Sequence, residues 1–210
     1  NNTIYGTELF EVQETNVPVV CDMSSDIMSR VIDVSKFDII YAGAQKNIGP
    51  AGLTIVIVKD EILGKSGRAI PSMLDYTSYK DNDSMYNTPP VFSIYTAMLN
   101  LNWLKSKGGV AEIGKENIAK ANALYREIDR NPLFRGTVAV EDRSNMSVCF
   151  VTENPELEKP FLKFAEERGC IGIKGHRSSG GFRASLYNAL PITSVHVLVE
   201  AMQDFAEQNA

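Results

Sequence analysis

The first sixty residues alternate between short apolar runs and polar or glycine-rich connections. The apolar runs are Val17–Cys21, Phe37–Tyr41 and Leu53–Val58, and they are rich in β-branched side chains. Runs of this length and composition are typical of strands buried in a sheet. Asp22 follows the first run directly, and the glycine-rich segment 42–52 joins the second run to the third. This pattern predicts an α/β unit.

Two long helices are predicted in the middle of the chain. Residues 64–90 are polar and contain proline, which indicates a long functional loop before the first of them. Residues 91–107 have the composition of a helix that ends at Gly108-Gly109. Residues 110–129 form a second helical pattern, which is charged and amphipathic.

After Asn131-Pro132 the pattern changes to that of a small α+β unit. It predicts the order strand, strand, helix, strand, strand, helix. We therefore predict two domains, 1–107 and 108–210, of which the second begins with a connecting helix. The predicted strands of the second unit are 136–141, 146–152, 170–173 and 182–186, and its helices are 155–168 and 191–207.

Composition and charge disfavour several classes of function. The chain has 210 residues, of which 44% are hydrophobic and 22% charged, as in ordinary globular proteins. A net charge of -5 argues against nucleic acid or an anionic membrane as the main partner, and no apolar stretch has the length of a membrane span. Two histidines are too few for a zinc site, so we expect no metal. The three widely spaced cysteines indicate reduced thiols in a cytoplasmic protein: Cys21, Cys149 and Cys170.

Lys46 and Asp22 are the first candidates for chemistry. Lys46 lies between two predicted strands, where apolar neighbours would desolvate its amine and lower its pKa, as an imine-forming lysine requires. Asp22 ends the first strand, and open α/β sheets bind ligands at the carboxyl ends of their strands. A carboxylate beside such a lysine is the pair that pyridoxal phosphate uses. Taken singly, the lysine fits a solvated surface turn better than a catalytic site, and Asp22 fits a helix N-cap at least as well as a cofactor contact.

Five segments, in order, resemble those of the phosphoserine aminotransferases, a group within the class V aminotransferase family of fold-type I pyridoxal-phosphate enzymes. The resemblance spans almost the whole chain. It implies an α/β fold that comprises part of the large domain, with a mixed and mostly parallel sheet, and a small C-terminal α+β domain. The segments are Asn1–Gly6, Asp22–Ile27, Tyr41–Gly52, Tyr86–Pro90 and Gly175–Ser185.

The resemblance implies that four residues contact pyridoxal phosphate within one subunit. Lys46 would bind the cofactor covalently and then carry a proton between substrate and cofactor. Asp22 would pair with the pyridinium nitrogen of the cofactor. Thr3 would hydrogen-bond the ring hydroxyl. Gln45 would reach the cofactor phosphate.

The other implied site residues lie in the second half of the chain. Asn87 and Thr88 would reach a phosphate in the neighbouring subunit, so the resemblance implies a homodimer with shared active sites. Arg183 would bind the substrate α-carboxylate, with His176 and Arg177 at its distal phosphate or side-chain carboxylate. Without the resemblance, an ordinary turn at 87–90 and a solvated basic turn at 176–183 are the alternatives.

The implied reaction moves an amino group from glutamate to the phosphorylated 2-oxo acid 3-phosphohydroxypyruvate, which gives 2-oxoglutarate and O-phosphoserine in serine biosynthesis. Some relatives also act in pyridoxine biosynthesis. The alternatives are another fold-type I enzyme, of the cysteine desulfurase or alanine–glyoxylate aminotransferase type, and an inactive dimer scaffold. Family members carry an additional N-terminal portion, so we expect this chain to be a fragment or a truncated relative with poor activity alone.

Overall fold

The computed structural model describes residues 1–209, which contain two three-stranded sheets with helices packed against them. The first sheet consists of β1 (Val20–Asp22), β2 (Ile39–Gly43) and β3 (Thr54–Val58), in that order. Strands β1 and β2 are parallel, with Asp22 opposite Tyr41, whereas β2 and β3 are antiparallel. The sheet is mixed, as predicted, but within residues 1–209 it is not mostly parallel.

The central strand β2 forms because its alternate residues can be buried. Ile40 and Ala42 lie in the core, whereas Tyr41 between them is exposed, which is the two-residue period of a strand. Ile27 and Ile48 complete the same buried cluster from the loops that follow β1 and β2. The hydrophobic pattern therefore brings the ends of β1 and β2 side by side.

Three helices follow the first sheet. The loop 64–90 contains a short helix that the sequence pattern did not predict, α1 (Tyr76–Lys80), in which the Asp75 side chain accepts a hydrogen bond from Thr77 N. The two predicted long helices are present as α2 (Val91–Ser106) and α3 (Gly109–Arg130). Helix α2 presents Ser93 and Ala97 to the segment after β2: Ser93 donates to the backbone oxygen of Ala51 (3.1 Å).

The C-terminal part of the chain forms an antiparallel sheet covered by two helices. The sheet order is β4 (Phe134–Gly136), β5 (Ser147–Thr152) and β6 (Phe182–Ser185). The helices α4 (Glu158–Glu167) and α5 (Ile192–Asn209) pack on it through a cluster of aromatic rings whose neighbouring centroids lie about 5 to 6 Å apart. The clustered rings are Phe134, Phe150, Phe161, Phe164, Phe182 and Phe205.

Two predicted strands of this part are wrong in place or type. Residues 136–141 are not a strand, because β4 ends at Gly136 and the chain then turns through a 3-10 helix, Val140–Asp142. Residues 170–173 are not a strand, because a turn at 171–172 interrupts them, where Gly172 has a left-handed φ of 78°. The unit therefore has three strands within the described residues, not four.

Lys120 of α3 is buried, at 2% exposure, and it ties the helix to the loop after β6. Its Nζ donates hydrogen bonds to three backbone oxygens, those of Leu186 (3.1 Å), Tyr187 (2.9 Å) and Leu190 (3.1 Å). Burial lowers the pKa of Lys120 to about 8, so that at pH 7 most of the amine still carries the three protons that it donates.

Lys120→Met in the complete protein is expected to lower the free energy of unfolding by about 3 kcal/mol, because buried carbonyl groups lose a donor that methionine cannot replace. Urea unfolding measures the effect. Lys115→Met is the matched control on the same helix: Lys115 is exposed, and its change is expected to stay within about 0.5 kcal/mol. Equal losses in the two variants would contradict the role given to Lys120.

None of the helices within residues 1–209 combines the length and the apolar character that crossing a membrane would require.

Candidate active site

Lys46 lies three residues after the end of β2, in a tight turn. The turn is closed by Ile48 N and Gly49 N, which both donate to the backbone oxygen of Ala44 (3.2 and 2.8 Å). The half-buried Lys46 Nζ donates to Thr3 Oγ1 at 2.9 Å. Burial, and to a smaller extent the charge of Arg183, lower the pKa of Lys46 more than the neighbouring carboxylates raise it. The amine is thereby made more nucleophilic than an ordinary lysine at neutral pH.

Asp22 lies at the adjacent strand end. Its Oδ1 accepts a hydrogen bond from Ser24 N (2.8 Å), and the Ser24 hydroxyl accepts one from Gly43 N (3.0 Å), which joins the β1 loop to the end of β2. Burial alone would raise the pKa of Asp22, but the bonds from Ser24 and the charge of Lys46 outweigh it and lower the pKa. Asp22 is therefore a carboxylate throughout the neutral pH range.

Thr3 is brought to Lys46 by the N-terminal segment, which folds against β5. Asn2 N donates to the Thr7 backbone oxygen (2.7 Å), and between them Gly6 adopts a φ of 74°. A Cβ on Gly6 would lie 2.7 Å from the backbone oxygen of Ser147, so glycine is required at this close approach. The close packing of this segment on β5 fixes the position of the Thr3 hydroxyl.

Arg183, on β6, supplies a positive charge close enough to act on Lys46. It lies opposite Cys149 in the register of β5 and β6, and its charge acts on Lys46. Within the described residues its Nε is buried and has no hydrogen-bond partner. An arginine with free donors is suited to bind a carboxylate through two parallel hydrogen bonds.

Gln45 is exposed in the turn that carries Lys46, and His176 and Arg177 lie in the turn that precedes β6. The Gln45 side chain folds over Gly43, where a Cβ would lie 2.5 Å from Gln45 Oε1. The His176 ring is held within its own turn, with Nδ1 2.7 Å from Ser178 Oγ, and Gly180 N closes the turn on the His176 backbone oxygen (2.8 Å). Arg177 is exposed in the same turn.

Asn87 and Thr88 are exposed in the loop before α2. Within residues 1–209 the side-chain amide of Asn87 hydrogen-bonds only to the backbone oxygen of Thr88 (3.2 Å). The structure therefore brings four of the nine predicted site residues into one group, Thr3, Asp22, Lys46 and Arg183. Within residues 1–209, the other five form no side-chain hydrogen bond or salt bridge with these four: Gln45, Asn87, Thr88, His176 and Arg177.

Residues that support this group were not predicted as functional. Ser24 bonds both Asp22 and the end of β2, and Asn47 and Asn188 are buried polar residues that link the lysine turn to the loop after β6. Asn47 directly follows the lysine, which is the one sequence signal that could have drawn attention to it. Among the described residues, no three His, Cys, Asp or Glu side chains are grouped as metal ligands.

Comparison with known proteins places this geometry in a family. The family model for class V aminotransferases matches residues 3–198. A curated phosphoserine aminotransferase from Flavobacterium johnsoniae is 61% identical over 203 residues, which are 97% of this chain and 57% of that protein. The chain thus spans little more than half the length of this relative.

Two solved structures confirm the predicted α/β fold class. The phosphoserine aminotransferase from Bacillus circulans subsp. alkalophilus superposes with a TM-score of 0.96 at 44% identity, covering 100% of this chain and 59% of its own. A pyridoxal-phosphate-bound phosphoserine aminotransferase from Trichomonas vaginalis superposes with a TM-score of 0.92 at 38% identity, covering 97% and 58%. From the match over residues 3–198 and the agreement of the fold, the chain belongs to the class V aminotransferase family.

Proposed function

We propose that this chain carries the catalytic lysine of a phosphoserine aminotransferase, which transfers an amino group from glutamate to 3-phosphohydroxypyruvate to give O-phosphoserine and 2-oxoglutarate. The observation that carries the proposal is the half-buried Lys46 amine, which has a lowered pKa and lies in the electric field of both Asp22 and Arg183. The relatives are named phosphoserine aminotransferases, which supports phosphoserine as one partner of the amino-group transfer.

The residues present fit pyridoxal phosphate. Lys46 offers an amine that donates to the Thr3 hydroxyl, and Asp22 offers a carboxylate that stays charged. The buried Nε of Arg183 has no partner within residues 1–209 and can donate to a ligand. When bound, the cofactor supplies an aldehyde that condenses with amines and a pyridinium ring that accepts electrons. In this proposal Lys46 would hold the cofactor covalently, Asp22 would pair with its ring nitrogen, Thr3 would bond its ring hydroxyl and Gln45 would reach its phosphate.

The side chains then have separate tasks in the reaction. Lys46, once free, moves a proton to and from the reacting carbon, for which its lowered pKa suits it at neutral pH. Arg183 orients the substrate through its α-carboxylate. His176 and Arg177, in the exposed turn, bind the distal phosphate or carboxylate.

The proposal includes a homodimer in which Asn87 and Thr88 reach a phosphate in the partner subunit. It is supported by the exposure of both residues and by the helix that follows them. Helix α2 exposes large apolar side chains, including Phe92 (76% exposed) and Tyr95 (55%), as surfaces that bind another chain or segment do. We also propose the domain division at 107–108, which the separate hydrophobic cores on either side of it support.

A cytoplasmic location is part of the proposal. The three cysteines are free, which is usual where thiols are kept reduced.

A cysteine desulfurase is disfavoured as the alternative. Such an enzyme needs an accessible, reactive thiol, whereas Cys149 and Cys170 are buried and Cys21 lies in β1 with its side chain partly buried. Burial raises the pKa of all three thiols, so that the nucleophilic thiolate is scarce at neutral pH.

The proposed activity is tested with the complete natural protein. Glutamate and 3-phosphohydroxypyruvate are expected to give 2-oxoglutarate and O-phosphoserine with a kcat/KM at least about 100-fold above that with pyruvate or glyoxylate, because two basic residues bind the distal phosphate. A preference for glyoxylate, or release of sulfide from cysteine, would assign the chain to one of the other fold-type I enzymes.

A further inference from the structure

Three buried asparagines bind three consecutive backbone oxygens in the loop that follows β1. Asn47 Nδ2 donates to the backbone oxygen of Ile27 (3.0 Å), Asn188 Nδ2 to that of Met28 (2.9 Å) and Asn117 Nδ2 to that of Ser29 (2.9 Å). We call Asn47, Asn117 and Asn188 the asparagine cluster. The three donors come from the lysine turn, from helix α3 and from the loop after β6.

The asparagine cluster is also bonded within itself. Asn188 N donates to Asn47 Oδ1 (3.0 Å), and Asn117 Nδ2 donates to Asn188 Oδ1 (2.9 Å). The side chains are almost fully buried, at 4%, 1% and 5% exposure for Asn47, Asn117 and Asn188. Because a lost partner in such surroundings leaves an unsatisfied polar group, this network favours a single arrangement of the segments that it joins.

The joined segments carry the residues that form the active-site group. Asn47 is the neighbour of Lys46, and Asn188 follows β6, the strand that carries Arg183. The loop 27–29 follows Asp22, and Met28 holds a φ of 60°, an unusual value for a residue other than glycine. The bond from Asn188 to Met28 therefore fixes a strained point of that loop.

We propose that the asparagine cluster is a positioning device. It holds Lys46 and Arg183 at a fixed distance and orientation by binding both of their segments to the loop 27–29, which follows Asp22. Within residues 1–209 the cluster forms no hydrogen bond with the side chains of Lys46, Asp22 or Arg183, so it acts through the segments that carry them. The inference rests on the proposed function in so far as Lys46 and Arg183 serve the same substrate.

The asparagine cluster matters for the reaction because the rate depends on the relative positions of Lys46 and the bound substrate. The bond from Asn188 to Asn47 joins residues 141 positions apart, so chain connectivity alone does not hold the lysine turn near β6. A displacement of about 1 Å between a bound substrate and its catalytic group can cost about 100-fold in rate. Fixing the lysine turn and β6 to one support prevents that displacement.

The test is Asn188→Ala in the complete protein, with two measurements. First, the pH midpoint of Lys46 acetylation by acetic anhydride is followed by mass spectrometry in the cofactor-free protein. It is expected to rise by about 0.5 units or more toward the ordinary lysine value, because a loosened turn is better solvated while the charges of Asp22, Asp26 and Arg183 are unchanged. Second, kcat/KM for glutamate is expected to fall about 10- to 100-fold.

Asn131→Ala is the matched control. Asn131 is equally buried, at 6% exposure, and its amide donates to Glu127 Oε1 (2.9 Å) and to the backbone oxygen of Met202 (3.2 Å), in contacts separate from the asparagine cluster. It is expected to lower thermal stability but to leave both measurements unchanged. Should Asn188→Ala fail to fold, Asn117→Ser takes its place and is expected to shift both measurements in the same direction.

The inference is overturned if Asn188→Ala, or Asn117→Ser in its place, leaves the Lys46 midpoint and kcat/KM unchanged, or if Asn131→Ala alters them equally. Failure of the proposed function gives a different result. The Lys46 midpoint needs neither cofactor nor substrate, so it would still shift in a protein that does not act on 3-phosphohydroxypyruvate.

Discussion

Lys46→Ala is expected to reduce amino transfer by the complete protein about 10⁴-fold or more. The substitution removes both the group that holds the cofactor covalently and the base that moves the proton, and a positioned base alone contributes up to about 10⁴-fold. Borohydride reduction followed by peptide mapping provides the second measurement. It is expected to fix the cofactor to Lys46 in the unmodified protein and to no residue in the variant.

Two further variants test whether the loss of activity comes from the missing amine rather than from a lost charge or a disturbed fold. Lys46→Arg retains a cation able to donate to Thr3 Oγ1 but lacks the nucleophilic primary amine, so it is expected to be as inactive as the alanine variant. Lys36→Ala removes an exposed lysine next to the same sheet and is expected to retain full activity. Near-normal turnover in either Lys46 variant would remove this residue from the mechanism.

Asp22→Asn is expected to lower kcat by about 10²- to 10³-fold while cofactor binding to Lys46 persists. The amide has the shape of the carboxylate but cannot keep a ring nitrogen protonated, and the loss of a preorganised charge of this kind typically costs that much. The substitution also removes a negative charge that raises the pKa of Lys46, so that pKa is expected to fall further below the ordinary lysine value. The pH dependence of Lys46 acetylation measures this shift.

Asp33→Asn is the matched control for Asp22. The Asp33 carboxylate also accepts a backbone hydrogen bond from the serine two residues later (Ser35 N, 3.0 Å), but it caps a 3-10 helix outside the site. It is expected to leave kcat and the Lys46 pKa unchanged. If Asp22→Asn had normal kinetics, or if its Lys46 pKa rose, the proposed pairing with the cofactor ring would be incorrect.

The sequence alone predicted those parts of the fold whose signals are local. Helices α2 and α3 were predicted within about a residue of their observed ends, because Gly108 and Gly109 separate two continuous helical patterns. Strands β2 and β3 were predicted within a few residues from β-branched runs. The errors at 136–141 and 170–173 arose where a 3-10 turn and a left-handed glycine interrupt segments with strand-like composition.

The position of Lys46 and Asp22 at adjacent strand ends was also foreseeable, because parallel strands bring their carboxyl ends to one edge of a sheet. Their roles in the reaction remain predictions. The resemblance of residues 1–6 to the family also predicted Thr3 as a site residue. The hydrogen bond from Lys46 to Thr3 joins residues 43 positions apart, and it depends on how the N-terminal segment packs on β5.

By itself, the sequence determined the fold class, the long helices and the two residues on which the chemistry is proposed to depend, because each has a local pattern or a characteristic motif. Only the tertiary structure shows that Lys46 donates to Thr3 and that the charge of Arg183 acts on Lys46. Within residues 1–209 it shows no hydrogen bond from Asn87 or Thr88 to this group. It alone revealed the asparagine cluster. Asparagine is polar and is expected at the surface, and its burial is tolerated here because segments distant in the sequence meet and provide acceptors for its side-chain amide.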